Sequence, residues 1–300
     1  MNPIRTAIVG VGKIATDQHI PALRANPAFE LTATASRKGG VEGVPNFPIL
    51  EELLASDVAF DAVAICTPPQ VHYQIARLAL EHGKHVLLEK PPCMTTAQLD
   101  ELVRVGRAAG VTLFQTWHSQ HAAGVETARQ WLSSRALRKA HVTWKEDVRR
   151  WHPGQTWIWQ AGGFGVFDPG INAISILSRI LPQAFFVTTA ELSVPSNCDS
   201  PIAAEVVFAT DGGVAITADF DFRQTGPQTW DIDIETDAGS LKLSMGGSEL
   251  AIDGKPAAVP DNGGEYPDLY RRFAELVAQS ASEVDSRPFQ LVADAFLVGR

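Results

Sequence analysis

The sequence predicts a two-part α/β chain: a doubly wound parallel sheet over residues 1–120, then an open, mostly antiparallel sheet over 121–300 with helices on one face. Three observations predict it. Short apolar runs at 4–9, 31–35, 62–66, 85–88 and 112–115 alternate with helix-patterned stretches at 14–25, 70–81 and 95–109. Nearly continuous apolar strands separated by helices are the signature of a parallel sheet covered on both faces. The first run passes straight into Gly10-x-Gly12-x-x-Ala15 and then a helix pattern. Beyond residue 139 the alternation changes: runs at 139–148, 203–209, 214–222, 230–236, 240–244 and 249–252 are separated by turn signals such as Asp211-Gly212-Gly213 and Asp253-Gly254, which reads as consecutive antiparallel strands.

The strand, glycine turn and helix at the start suit a dinucleotide pyrophosphate. Gly10 permits a tight turn, Gly12 lets the backbone approach the phosphates, and Ala15 lets the helix pack closely on the strand. The helix N-terminus adds unpaired N–H donors and a positive dipole. A plain turn is the competing reading. Lys13 and Ile14 complete the candidate cofactor contacts there. The second strand ends in Ser36-Arg37-Lys38, with no carboxylate to accept from a ribose 2′-hydroxyl. A hydroxyl and a planar cation suit a 2′-phosphate instead, so NADP is expected ahead of NAD, against the alternative of a solvated basic loop.

Thr67-Pro68-Pro69-Gln70-Val71-His72 follows the third run and Glu89-Lys90-Pro91-Pro92 the fourth. Both therefore lie at the carboxyl edge of the sheet, where ligands bind. Thr67, Pro68, His72, Glu89 and Lys90 are candidate cofactor contacts, His72 alternatively being a first-turn helix residue. Lys90, between a carboxylate and two prolines, is placed to face a nicotinamide; a surface lysine is the competing reading. In Gly162-Gly163-Phe164-Gly165-Val166-Phe167-Asp168-Pro169-Gly170-Ile171-Asn172, the pattern puts Asp168 at a helix N-cap with Asn172 one turn on.

In the second half, Asp219-Phe220-Asp221-Phe222 and Asp231-Ile232-Asp233-Ile234 alternate, implying one wet and one buried face. Helices near 171–181 and 269–279 are expected to cover that buried face. A last helix near 291–298 is expected to pack back on the first domain. The bare face, with aromatic and apolar residues on it, would pair with a second copy.

The chain has 34 acidic and 25 basic residues, a net charge of −9, which removes the electrostatic case for nucleic acid or an anionic membrane. No apolar run approaches the length of a membrane span and no charged leader precedes the strand at residue 4, so a cytoplasmic protein is expected. Cys66, Cys93 and Cys198 lack any metal-site spacing, so no metal is expected and they read as small core residues in a reducing compartment.

With these residues in hand, the chain resembles the Gfo/Idh/MocA family of NAD(P)-dependent sugar oxidoreductases. The resemblance rests on Gly10-x-Gly12-x-x-Ala15, Glu89-Lys90-Pro91 and Gly162-Gly163…Asp168-x-Gly170-x-Asn172, in that order, and spans the whole chain. Within the family it is similar to the bacterial group that oxidises L-arabinose and D-galactose at C1. The telling segments are 12–19, Thr116-Trp117-His118-Ser119, 144–155 and 167–173. The resemblance implies that Lys90 and Asp168 form the catalytic pair. It also implies that Glu146, Trp151, His152, Trp230, His118 and Asn172 bind the sugar. Asn172 stands where many relatives have His; because Asn exchanges no proton, base duty falls to Asp168 or Lys90. The expected reaction is oxidation of an aldose to its aldonolactone. Two alternatives stay open: a dehydrogenase acting at another ring carbon, as with inositol, or a non-catalytic NADP(H)-sensing regulator.

Overall fold

A computed structural model describes residues 2–300. In chain order the elements begin with β1 (Ile4–Val9), α1 (Ile20–Ala25), β2 (Phe29–Ala35), β3 (Asn46–Phe47), α2 (Leu50–Leu54), β4 (Ala62–Ile65), α3 (Pro69–Glu81), β5 (His85–Leu88), α4 (Thr96–Ala109) and β6 (Leu113–Gln115). They continue with α5 (Val125–Leu132), β7 (Leu137–Lys145), α6 (Val148–Trp151), α7 (Phe167–Ile180), β8 (Phe185–Ser193), β9 (Ala203–Thr210), β10 (Ala215–Asp221), β11 (Thr229–Thr236), β12 (Gly239–Ser244), β13 (Glu249–Ile252), β14 (Lys255–Pro256), α8 (Glu265–Ala278) and α9 (Arg287–Val298).

The chain divides into two compact units. The first ends at Thr116 and takes up again over Tyr266–Ser286; the second comprises Trp117–Glu265 and Arg287–Arg300. The first unit carries a six-stranded, all-parallel sheet in the order β3-β2-β1-β4-β5-β6. This is the strand order of a doubly wound dinucleotide fold, in which the carboxyl ends of β1 and β4 flank the point where the winding reverses. The central strands are apolar because both faces are covered: Ala62 to Ile65 and Val86 to Leu88 are fully buried. The stretch read as one helix over 14–25 is a wide π-helical turn, Ala15–His19, followed by α1.

The second unit carries an eight-stranded sheet in the order β14-β13-β12-β11-β7-β10-β9-β8. It is antiparallel except where β10 runs parallel to β7, with Ala218 opposite Val142. Register keeps one parity buried across the sheet: Leu243, Ile232, Val142, Ala218, Val206 and Ala190 face the same way. Helix α7 covers this side, so closely that a Cβ on Gly170 would lie 2.9 Å from the Phe220 ring.

Three expectations are revised. The helix expected near 269–279 is α8, and it belongs to the first unit: Tyr266, Leu269, Tyr270, Phe273 and Leu276 pack with Ile8, Phe29, Leu87 and Phe114. The last helix, α9, lies in the second unit, where Phe296 meets Phe167 with ring centroids 5.2 Å apart. The two helices thus have each other's expected place, because two amphipathic helices of similar length do not announce which sheet they serve. Finally, the bare face of the second sheet is mainly charged. Lys145 pairs with Asp219, Lys242 bridges Asp231 and Asp233, and His141 meets Thr217, while Trp144 and Phe220 lie on the covered side and Phe186 of β8 is exposed on the open one.

Candidate functional site

In the first unit, the ends of β1, β4 and β5 stand side by side, since Val9 pairs with Ile65 and Ile65 with Leu88. The loops leaving them hold the expected cofactor residues. Gly10 has φ +90°, and a Cβ there would lie 2.8 Å from Thr67 Cγ2, so turn geometry and the neighbouring strand both require glycine. A Cβ at Gly12 would meet no described atom within 4 Å. Nothing in the protein itself demands glycine there, whereas a pyrophosphate drawn close to the backbone would. The donor set fits a dinucleotide on that ground. Thr16 N–H already donates to the Gly12 carbonyl, so the free donors are those of the turn itself. Lys13 pairs with Asp17 on the exposed side of the turn, and Ile14 precedes the π-helical residues.

At the end of β2 the Ser36 backbone is pinned, its N–H donating to the Phe47 carbonyl (2.7 Å) and its carbonyl accepting from Asn46 Nδ2 (3.1 Å). Arg37 follows, exposed, with no hydrogen bond or ion pair among the described residues. A fixed hydroxyl beside an uncommitted guanidinium is chemically suited to a phosphate monoester.

His72 takes the alternative place, in a helix. It lies in the first turn of α3, fully buried, with Nδ1 3.0 Å from the Pro91 carbonyl and Nε2 2.5 Å from that of Thr67. Both ring nitrogens lie against backbone carbonyls, so the residue ties the loop after β4 to the loop after β5. Burial pushes its pKa below the ordinary histidine value, against the pull of the Thr67 carbonyl.

Glu89 is buried at the end of β5. Its Oε2 accepts the Lys90 backbone N–H (2.9 Å), and its Oε1 accepts from Tyr266 Oη (2.9 Å) and lies 2.9 Å from His19 Nε2. The residue therefore anchors the loop. Lys90 is half-buried and precedes a cis bond to Pro91. His19 entered the sequence reading only as part of segment 12–19, with no role of its own, and Tyr266 and Tyr270 did not enter it. A histidine ending the wide turn after the glycine loop, and tyrosines four residues apart on a distant helix, carry no local signal of convergence.

The second unit gathers most of the expected sugar-binding residues. Glu146 follows β7, its N–H held by the Asp221 carbonyl of β10 (2.9 Å), and it is almost fully buried. Its Oε2 accepts from Trp230 Nε1 (2.9 Å), and its Oε1 lies 3.1 Å from His152 Nε2. The other ring nitrogen of His152 stands 3.8 Å from Asp168 Oδ2. That is too long for a hydrogen bond but close enough for ionic coupling. Trp151 packs on Trp230 (centroids 4.8 Å), and Trp230 stacks on Trp144 (5.8 Å), making an aromatic wall. Trp144 is an addition to the expected set; its indole N–H is buried with no partner among the described residues. The register pairs it with Trp230, a signal that strand alignment would have revealed.

Asp168 is not an N-cap. Helix α7 starts at Phe167, because Asp168 N–H already donates to Gly165 O (2.9 Å) and Gly170 N–H to Val166 O (3.1 Å). Asp168 sits in the first helical turn, 3% exposed, with Asn172 one turn later. Asn172 Oδ1 is buried and has no partner among the described residues. An orphaned amide oxygen is costly unless a ligand hydroxyl satisfies it. His118 is engaged by Glu265, Nδ1 to Oε2 at 2.6 Å. The nearby Gly163 packs against the Trp157 carbonyl, so its lack of a side chain serves packing rather than open space. No group of His, Cys, Asp and Glu among the described residues could hold a metal ion, and no helix among them is long and apolar enough to cross a membrane.

Comparison with known proteins agrees with this layout. The profile of the oxidoreductase family with an NAD-binding Rossmann fold, Gfo/Idh/MocA, matches residues 4–116. A galactose 1-dehydrogenase of Pseudomonas fluorescens is 46% identical over 299 residues, covering 100% of this chain and 97% of its own. A crystal structure of a D-galactose-1-dehydrogenase protein from Rhizobium etli superposes with a TM-score of 0.94 at 51% identity, covering 100% of this chain and 96% of that one. The 3-ketoreductase KijD10 of Actinomadura kijaniata, solved with NADP and TDP-benzene, shares the fold at a TM-score of 0.85 and 23% identity, over 100% of this chain and 98% of its own. A Rossmann unit followed by an open sheet, matched from end to end by relatives at close to half identity, makes this chain a member of the Gfo/Idh/MocA family of oxidoreductases.

Proposed function

We propose that the chain is an NADP-preferring aldose 1-dehydrogenase that oxidises C1 of D-galactose or L-arabinose to the aldonolactone, NAD being the weaker cofactor. The observation that carries this reading is the Glu146–Trp230–His152–Asp168 constellation, its two carboxylates buried, walled by Trp151 and Trp144, in a chain matched throughout by galactose 1-dehydrogenases. A pyranose has a C–H-rich face that an aromatic wall accepts and a hydroxylated rim that fixed polar groups read. The bound nicotinamide supplies the acceptor for the hydride leaving C1.

The residues of the chain do the rest. Gly10 and Gly12 seat the pyrophosphate, Ser36 and Arg37 take the 2′-phosphate, and Thr67, Pro68 and the loop of Lys90 border the nicotinamide. Asp168 accepts the anomeric proton as the hydride departs, and the Lys90 ammonium stabilises the charge developing on that oxygen. His152, between Asp168 and Glu146, holds the donor–acceptor direction of the rim, and Asn172 Oδ1 takes a sugar hydroxyl. Trp230 and Trp151 supply the platform, and His118 bounds the sugar. The charged face of the second sheet carries the homodimer we infer for this chain.

Absorbance of the reduced nicotinamide, followed with D-galactose, L-arabinose and inositol, tests the reading. Lactone is the expected product from the aldoses. A ketose from a ring carbon would replace this reaction with its relative, and tight NADP(H) binding without turnover would establish a sensor. Lys90→Ala is expected to lower kcat by at least ~100-fold, the scale of a positioned acid or base. Retained turnover in that variant would remove Lys90 from the chemistry.

A further inference from the structure

The buried polar cluster beneath the Lys90 loop is built from three segments of the first unit. Glu89 leaves β5, His19 ends the π-helical turn that follows the glycine loop, and Tyr266 and Tyr270 lie one turn apart on α8. Glu89 is 3% exposed and His19 is fully buried. A buried carboxylate is expensive unless donors surround it. Here three converge: Lys90 N–H on Oε2, and Tyr266 O–H and His19 Nε2 on Oε1, each at 2.9 Å. Tyr270 Oη lies 2.9 Å from His19 Nδ1. A neutral imidazole satisfies every group at once, with Tyr270 donating to Nδ1 and Nε2–H donating to Glu89. Burial, reinforced by the nearby Cys66 and Glu89, holds the Tyr270 phenol protonated well beyond its ordinary range, which suits that donor role. The two tyrosine rings meet the imidazole edge-on, at centroid distances of 4.9 and 5.8 Å, and leave it one orientation.

We propose that His19 is a positioning residue: with Tyr270 behind it and Tyr266 beside it, it locks the Glu89 carboxylate, which holds the Lys90 peptide in the orientation that hydride transfer requires. This rests on the reading of Lys90 given above. His19 belongs to the turn that seats the pyrophosphate, and its ring reaches the loop that carries the lysine. One side chain therefore joins the two loops that must register the cofactor against the reacting oxygen. Nothing about a well-filled core needs a carboxylate here; an apolar residue of similar volume would pack without its desolvation cost.

The test compares His19→Leu, His19→Gln, Tyr266→Phe and Lys90→Ala in the full-length enzyme, using aldose with protium or deuterium at C1. Misplacing a reacting group by about 1 Å costs on the order of a hundredfold in rate. His19→Leu is accordingly expected to lower kcat by about ten- to a hundredfold, with KM for the sugar little changed and a larger deuterium isotope effect. His19→Gln, whose amide donates from near the place of Nε2, is expected to recover most of the loss. Tyr266→Phe, which removes one hydroxyl from a fold otherwise intact, gives a smaller loss of the same kind and keeps the proposal testable should His19→Leu fail to fold. An unchanged isotope effect in Tyr266→Phe and the folded His19 variants overturns the proposal, as does a Gln variant no better than Leu. If Lys90→Ala is inactive while these variants match the wild type, only the positioning role fails. If Lys90→Ala turns over normally, the role of the lysine fails and the positioning role with it.

Discussion

At the residue scale, several side chains do work that their neighbours in sequence do not disclose. His72 was read as a candidate cofactor contact or, alternatively, a first-turn helix residue. Its position in α3 turns both nitrogens toward backbone carbonyls of two loops. Because burial depresses its pKa in the folded state below its unfolded value, the folded protein binds fewer protons than the unfolded chain between those two values. The stabilisation is complete above the ordinary histidine pKa and is lost as pH falls below it. The melting temperature is therefore expected to drop on acidification from neutral pH, and His72→Gln to show a flatter profile; parallel profiles would remove His72 as the cause. Arg37 gives the second residue-scale prediction. Arg37→Ala is expected to raise KM for NADP by about tenfold or more, the scale of a lost charge-assisted contact of roughly 1.5–3 kcal/mol, and to leave NAD use little changed. Equal effects on the two cofactors would reject the 2′-phosphate role.

At the element scale, α7 is the piece on which the sugar-side groups depend. It carries Asp168 and Asn172 on adjacent turns, and its Gly170 lies against the Phe220 ring. Gly170→Ala forces the helix or the ring to move. It is expected to cost about 1–3 kcal/mol in stability and to lower kcat by displacing Asp168. Equal stability by thermal melting would show that the sheet yields without strain. Five of the six strands of the first sheet were legible because apolar runs of four to six residues in a buried parallel sheet leave little else to read, whereas the two-residue β3 was too short to show. β8 was not, since Thr188, Thr189 and Glu191 break its alternation where that strand borders the sheet. The β7 run was read three residues past its end, because Asp147 caps a short helix there, accepting from Arg149 N–H (2.9 Å). Of the candidate site, the residues proposed to bear chemistry were picked out by motif, spacing and resemblance. Their supports, His19, Tyr266, Tyr270 and Trp144, were not, because each is defined by a partner far away in the chain.

At the scale of the whole molecule, the exposed side of the second sheet is a lattice of paired charges. Screening shortens from about 10 Å at 0.1 M salt to about 3 Å at 1 M. A homodimer held through that face is expected to dissociate, wholly or in part, between those concentrations by light scattering, and Asp233→Lys to weaken it at low salt. A dimer indifferent to both would be seated elsewhere.

The return of α8 to the first unit has a consequence for how the protein comes into being. Phe29 and Phe114 stack on Phe273, at centroid distances of 5.9 and 6.2 Å, so a helix synthesised some 150 residues after the last strand of that sheet completes its hydrophobic floor. On the ribosome, the nucleotide-binding half waits with an uncovered surface until the other half has emerged. A fragment cut after Thr116 is expected to aggregate, and one that splices Tyr266–Ser286 onto that cut is expected to stay in solution.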